Sequence, residues 1–248
     1  MRKATQTRLQ SEAPARVRRG YFECRFGQLH VHNAMPAGGG FEEGTPLLCV
    51  HDLPGSGRLF TRLLALSGCE RSVYAPDLPG FGESDPPPGP QDIAAYAAAL
   101  GDFIDSLRLR QLALLGVRLG VLIATELAIT RAPQIARVVL VSVPLLTETE
   151  RAALRTPASA ATPSEFRPLE AQRWAQEAAA RYPLRERLPR LKQPLLVLRP
   201  RDALYEATGR VREPLPAARI SELQHSGEDL FVSEAPRLHA AVRDFLRI

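Results

Sequence analysis

Cysteine, lysine and tryptophan are scarce in this chain, and long apolar runs are absent. Among 248 residues there are three cysteines, two lysines and one tryptophan. No apolar stretch approaches the roughly 20 residues of a membrane-spanning helix, and no apolar signal core follows the start. A chain with no membrane partner and a cytoplasmic location is the expectation. Cys24, Cys49 and Cys69 are odd in number and stand in no metal-ligand spacing. They read as buried or neutral thiols, not as a disulfide or a zinc site. His30, His32 and His239 likewise show no spacing that points to a metal, so no metal and no cofactor is expected.

What is present is a composition of ordinary globular kind: 45% hydrophobic and 24% charged residues, in a length that fits one domain with a substantial core. The net charge of +5 is unevenly placed. Residues 1–19 hold Arg2, Lys3, Arg8, Arg16, Arg18 and Arg19 against Glu12 alone, and this basic stretch, read as a disordered tail, carries the whole excess. The remainder is neutral, which argues against a nucleic-acid-binding face.

Residues 20–248 read as a single domain of alternating strands and helices. "YFECRFGQLHVHN" predicts two strands about a turn at Gly27, and "PLLCV" (46–50) a short strand buried on both faces. A helix over "LFTRLLALSG", a strand at "RSVYAPD" and a helix at 92–109 follow. Next come the strand "QLALLGV", a helix through Thr130 and a strand at 136–146. This order predicts an α/β fold: a mostly parallel central sheet flanked by helices. Residues 147–191 break the rhythm. They carry Trp174 and repeated prolines, and read as a short helical lid inserted before the strand at 193–200. A further strand near "ARISEL" and a C-terminal helix close the pattern.

Three blocks together resemble the α/β-hydrolase fold superfamily: "LLCVHDLPGSG", "YAPDLPGFGESD" and "LLGVRLGVLIATELA". The first resembles the family's oxyanion loop, the second its Asp-x-x-Gly-x-Gly-x-Ser segment, the third its Gly-x-Ser-x-Gly nucleophile elbow. "LLVLRPRDAL" resembles the loop of the triad acid. The resemblance implies that Arg118 stands at the nucleophile position and Asp202 at the retained acid position. Glu228 or Asp229 falls at the histidine position, with His225, three or four residues earlier, as a substitute base. It also implies that Leu53 and Leu119 offer the oxyanion-hole N–H groups, and that His51 orders the early loop. Asp52 replaces the glycine usual after that histidine.

A guanidinium stays protonated and cannot attack a carbonyl. Arg118 at a helix N-terminus also calls for an anion to answer it. Glu228 or Asp229, with Asp202 near, is the expected internal partner, and a carboxylate or phosphate ligand is the alternative. The chain thus reads as a degenerate-triad member, non-hydrolytic or weakly active, binding a small apolar or anionic molecule. An unconventional hydrolase of esterase-like or C–C/C–O bond-cleaving type stays open beside it. Ser56, Ser84 and Ser142 read as turn or core residues, and Asp77 as loop-stabilising. Phe166, Leu169 and Trp174 either line a pocket under the lid or dock the lid on the core.

Overall fold

The computed structural model describes residues 14–37, 44–155, 169–224 and 230–247, without the side chains of 152–155 and 169. β1 (Arg18–Cys24) and β2 (Gly27–Ala34) form the expected hairpin about Gly27. β1 therefore starts inside the stretch read as tail. Arg18 and Arg19 pair with Asn33 and His32 of β2, because cross-strand hydrogen bonding outweighs the local charge. β3 (Leu47–Val50), β4 (Val73–Pro76), β5 (Leu112–Val117), β6 (Ile135–Val141), β7 (Leu195–Pro200) and β8 (Arg219–Leu223) complete one eight-stranded sheet. Its order is β1-β2-β4-β3-β5-β6-β7-β8. β2 runs antiparallel to β1 and β4, while β4, β3, β5, β6, β7 and β8 are mutually parallel.

The central strands alternate between two apolar layers. Leu48, Val50, Leu114 and Leu140 face one layer; Leu47, Cys49, Leu115 and Val139 face the other. α2 (Ile93–Ser106) and α3 (Gly120–Thr130) cover the first face, and α1 (Thr61–Ser67) and α8 (Ala235–Arg247) the second. Burial on both faces explains why these strands read as continuous apolar runs. α2 starts where Asp92 accepts the N–H of Ala95 at 2.8 Å, a side-chain N-cap.

Between β6 and β7 lie α4 (Glu148–Arg155), α5 (Leu169–Arg181) and α6 (Leu184–Arg187). α4, α6 and a later short helix α7 (Tyr205–Gly209) are not read from the sequence. β6 was expected to run to Leu146 but stops at Val141. Ser142 adopts φ +53° there, which ends the extended conformation. Among the described residues no helix is long and apolar enough to cross a membrane.

Candidate functional site

Four side chains converge at the C-terminal ends of four adjacent strands. Asp52 follows β3, Arg118 follows β5, Ser142 follows β6 and Asp202 follows β7. Parallel sheets place functional groups at this edge because every strand there releases its chain into a loop.

The bend between β5 and α3 is tight. Arg118 has φ +49°, a left-handed conformation that costs a non-glycine residue on the order of 1–3 kcal/mol. Glycine flanks it for steric reasons. A Cβ on Gly116 would lie 2.8 Å from Ala124 Cβ and from the Gly120 carbonyl oxygen. One on Gly120 would lie 2.4 Å from the Val50 carbonyl oxygen. The bend thus throws the Arg118 side chain outward at the sheet edge, one-third exposed.

Two carboxylates flank the guanidinium. Nη2 of Arg118 donates to Oδ2 of Asp202 at 3.4 Å, and Nη1 lies 3.9 Å from Oδ2 of Asp52. Asp202 is fixed by the Ser142 hydroxyl, which donates to Oδ2 at 2.7 Å, and by the N–H of Leu204, which donates to Oδ1 at 2.9 Å. Ser142 was read as a turn or core residue. It is buried in the core and also orients Asp202. Its position directly after β6 is the sequence signal for this role.

Leu53 and Leu119 do bring their N–H groups together, and both donate to one acceptor. Oδ1 of Asp52 receives Leu53 N–H at 2.8 Å and Leu119 N–H at 3.1 Å. Asp52 therefore places a carboxylate oxygen between the two donors, against the start of α3, where a negative charge is favoured. Burial raises the Asp52 carboxyl above its ordinary value; the two N–H bonds and Arg118 pull the other way.

His51 is buried. Its Nε2 accepts the N–H of Leu78 at 2.9 Å, so Nδ1 carries the proton and faces the Asp52 carbonyl oxygen at 2.6 Å. The ring ties the loop after β3 to the loop after β4. Glu228, Asp229 and His225 lie outside the described residues.

A cavity of about 260 Å³ opens over this cluster. Asp52, Arg118, Ser142 and Asp202 form its polar side; Leu59, Val117, Leu230 and Phe231 are among its apolar walls. Trp174 is not part of the lining, while Phe166 and the Leu169 side chain lie outside the described residues. Cys49 is fully buried, and burial pushes its thiol far up, which removes it as a nucleophile. Ser84 donates its hydroxyl to the Asp77 carbonyl oxygen at 2.7 Å, a turn role. Asp77 accepts the N–H groups of Gly57 at 2.6 Å and Glu83 at 2.9 Å, and so stabilises its loop.

Asp77 is distant in sequence from His30 and His32, yet the fold gathers all three. Each can offer one ligand atom with all three such atoms within 4.8 Å of one another. His30 and His32 come from β2 and Asp77 from the loop directly after the neighbouring β4.

Solved structures share this architecture. An enol-lactonase from Burkholderia xenovorans superposes with a TM-score of 0.74 at 20% identity, over 92% of this chain and 100% of that one. A thermophilic esterase from Thermogutta terrifontis gives 0.74 at 20%, over 93% and 98%. A naproxen esterase from Bacillus subtilis gives 0.70 at 20%, over 94% and 92%. No curated protein matches the sequence. The family model described as alpha/beta hydrolase fold matches residues 45–227. This match covers most of the chain, and the strand order agrees with it: the chain belongs to the α/β-hydrolase fold family.

Proposed function

We propose that the chain is a non-hydrolytic member of this family, with a degenerate triad, that holds a small and largely apolar molecule in the cavity over Arg118. The observation that carries the reading is Oδ1 of Asp52 between the N–H groups of Leu53 and Leu119. Loss of the serine alone leaves a residual acceleration of about 10³–10⁴ over water, drawn from the oxyanion hole and binding. A carboxylate resting on the hole's donors removes that remainder too, since a single donor is worth about 10²–10³ in turnover. A resident negative charge also repels the developing oxyanion.

The same geometry disfavours an anionic ligand. One guanidinium is already answered by Asp52 and Asp202, so the described lining holds no spare positive charge. The apolar walls are then the larger source of affinity.

The test uses purified protein and short-chain p-nitrophenyl esters. Turnover equal to that of Arg118→Ala is expected. Turnover abolished by changing His225 or Asp202 would establish the competing reading, an unconventional hydrolase, for which the shared fold with esterases and an enol-lactonase speaks. For the ligand, thermal shifts with 2-octanone and with octanoate are compared. A rise with the ketone alone is expected; a rise with octanoate alone contradicts the apolar assignment.

A further inference from the structure

A second cluster of chemistry-bearing residues lies away from the Arg118 cavity. His30 and His32 project from the same face of β2, two residues apart. The pairing of Val31 with Pro76 sets His30 opposite Asp77, whose N–H donates to the His30 carbonyl oxygen at 2.8 Å. Residue 75, opposite His32, is an alanine. His30, His32 and Asp77 are 1%, 5% and 1% exposed.

Two contacts hold this cluster together. Nδ1 of His30 meets Oδ2 of Asp77 at 2.9 Å. The His32 ring packs edge-on against that of His30, with centroids 4.7 Å apart, so both imidazoles and the carboxylate share one buried spot.

We propose that His30, His32 and Asp77 bind one divalent transition-metal ion of the zinc class. Two imidazoles and one carboxylate form a donor set suited to such ions. Zinc–nitrogen bonds of about 2.0–2.1 Å set neighbouring ligand atoms roughly 3.4 Å apart. The three atoms lie within 4.8 Å of one another, so side-chain rotation of an ångström or so closes the site. On binding, His30 changes tautomer through solvent: Nδ1 gives up its proton, Nε2 takes one on the Glu83 side, and the freed Nδ1 lone pair takes the metal. Asp77 turns a lone pair from His30 to the ion while keeping the N–H groups of Gly57 and Glu83.

The surroundings supply an outer shell. Nε2 of His30 lies 3.9 Å from Oε2 of Glu83, and Tyr21 donates its hydroxyl to the same carboxylate oxygen at 3.2 Å. A carboxylate behind a ligating imidazole orients it and raises its basicity. The site joins the β1–β2 hairpin to the loop after β4, which makes its role structural.

The test strips the full-length protein with a chelator and titrates Zn²⁺ against a chromophoric competitor, then Co²⁺ by visible absorption. One equivalent bound, a raised melting temperature, and at least tenfold weaker binding in His32→Gln are expected. His32→Gln should melt like the wild type without metal. No stoichiometric binding, or binding unchanged in His32→Gln, overturns the site. Should that variant fail to fold, the wild-type cobalt spectrum decides. Ligand-field bands without thiolate charge transfer support the site, and a thiolate band assigns the ion to cysteine and overturns it.

Discussion

Oδ1 of Asp52 accepts the backbone N–H of Leu119 at 3.1 Å, so a side chain from the loop after β3 answers the first turn of α3. The same oxygen takes Leu53 N–H, and Arg118 lies within 3.9 Å of the other oxygen. A cation at a helix N-terminus is unfavourable alone; beside Asp52 and Asp202 it is held between two anions. The three residues are therefore energetically coupled.

Removing Arg118 should be felt by Asp52. Burial raises this carboxyl, and the guanidinium is one of the influences that lower it. Arg118→Ala therefore raises the Asp52 value further, measured by carboxyl ¹³C shifts against pH. An unchanged or lowered value contradicts the coupling. The linkage sign follows: a folded value above the unfolded one means ionised Asp52 opposes folding at neutral pH. That opposition fades as pH falls through the folded value.

The bend tolerates no added methyl. Gly120→Ala places a Cβ 2.4 Å from the Val50 carbonyl oxygen and 2.5 Å from that of His51, both backbone atoms. A loss of about 1–3 kcal/mol or more is expected from the forced shift, read as a lower urea midpoint. Gly89→Ala, with nothing within 4 Å of its Cβ, serves as the control and should leave the midpoint in place.

α6 is fastened to α3 by charge. Glu126, buried on α3, accepts Nε of Arg187 at 2.9 Å and the Tyr182 hydroxyl at 2.9 Å. Arg187→Ala strands a buried carboxylate and should cost about 3–5 kcal/mol. Glu126→Leu, Arg187→Met and Tyr182→Phe together should regain most of it in a denaturant series. If the triple variant is as weak as Arg187→Ala, the cost is not that of an uncompensated charge.

Half-buried His239, hydrogen-bonded to Ser67 Oγ at 2.9 Å, has its value lowered by burial, with Glu70 opposing and Arg243, Arg71 and Arg247 adding to the shift. The unfolded chain therefore binds this proton first. Stability should fall as pH drops below about 6.5, the ordinary histidine value. His239→Gln should flatten the slope of unfolding free energy between pH 7 and 5; an unaltered slope assigns it elsewhere.

The fold was legible because its signals are local. "LLCV" and "LALLGV" are continuous apolar runs, the mark of strands covered on both faces, and Gly116 and Gly120 report a bend that only small residues allow. The site was legible in part. Arg118 and Asp202 lie within 3.4 Å of each other, the N–H groups of Leu53 and Leu119 share one acceptor, and His51 accepts the N–H of Leu78. Glu228 and Asp229, expected to face Arg118, lie outside the described residues; among the described residues its partners are Asp202, expected nearby, and Asp52. An aspartate after His51 reads only as a replacement of the usual glycine until the fold shows its carboxylate accepting the N–H of Leu119 at the start of α3. Ser142 and the trio His30, His32 and Asp77 depend on strand adjacency, which spacing along the chain does not encode.

The amide protons of Leu53 and Leu119 test the central claim most directly. In wild-type protein, ¹H–¹⁵N spectra should show both shifts moving together with the Asp52 carboxyl titration, and Asp52→Gly should move both upfield and abolish that pH dependence. Two amides indifferent to pH and to Asp52→Gly would mean that the carboxylate does not rest on these donors, and the non-hydrolytic reading would lose its principal support.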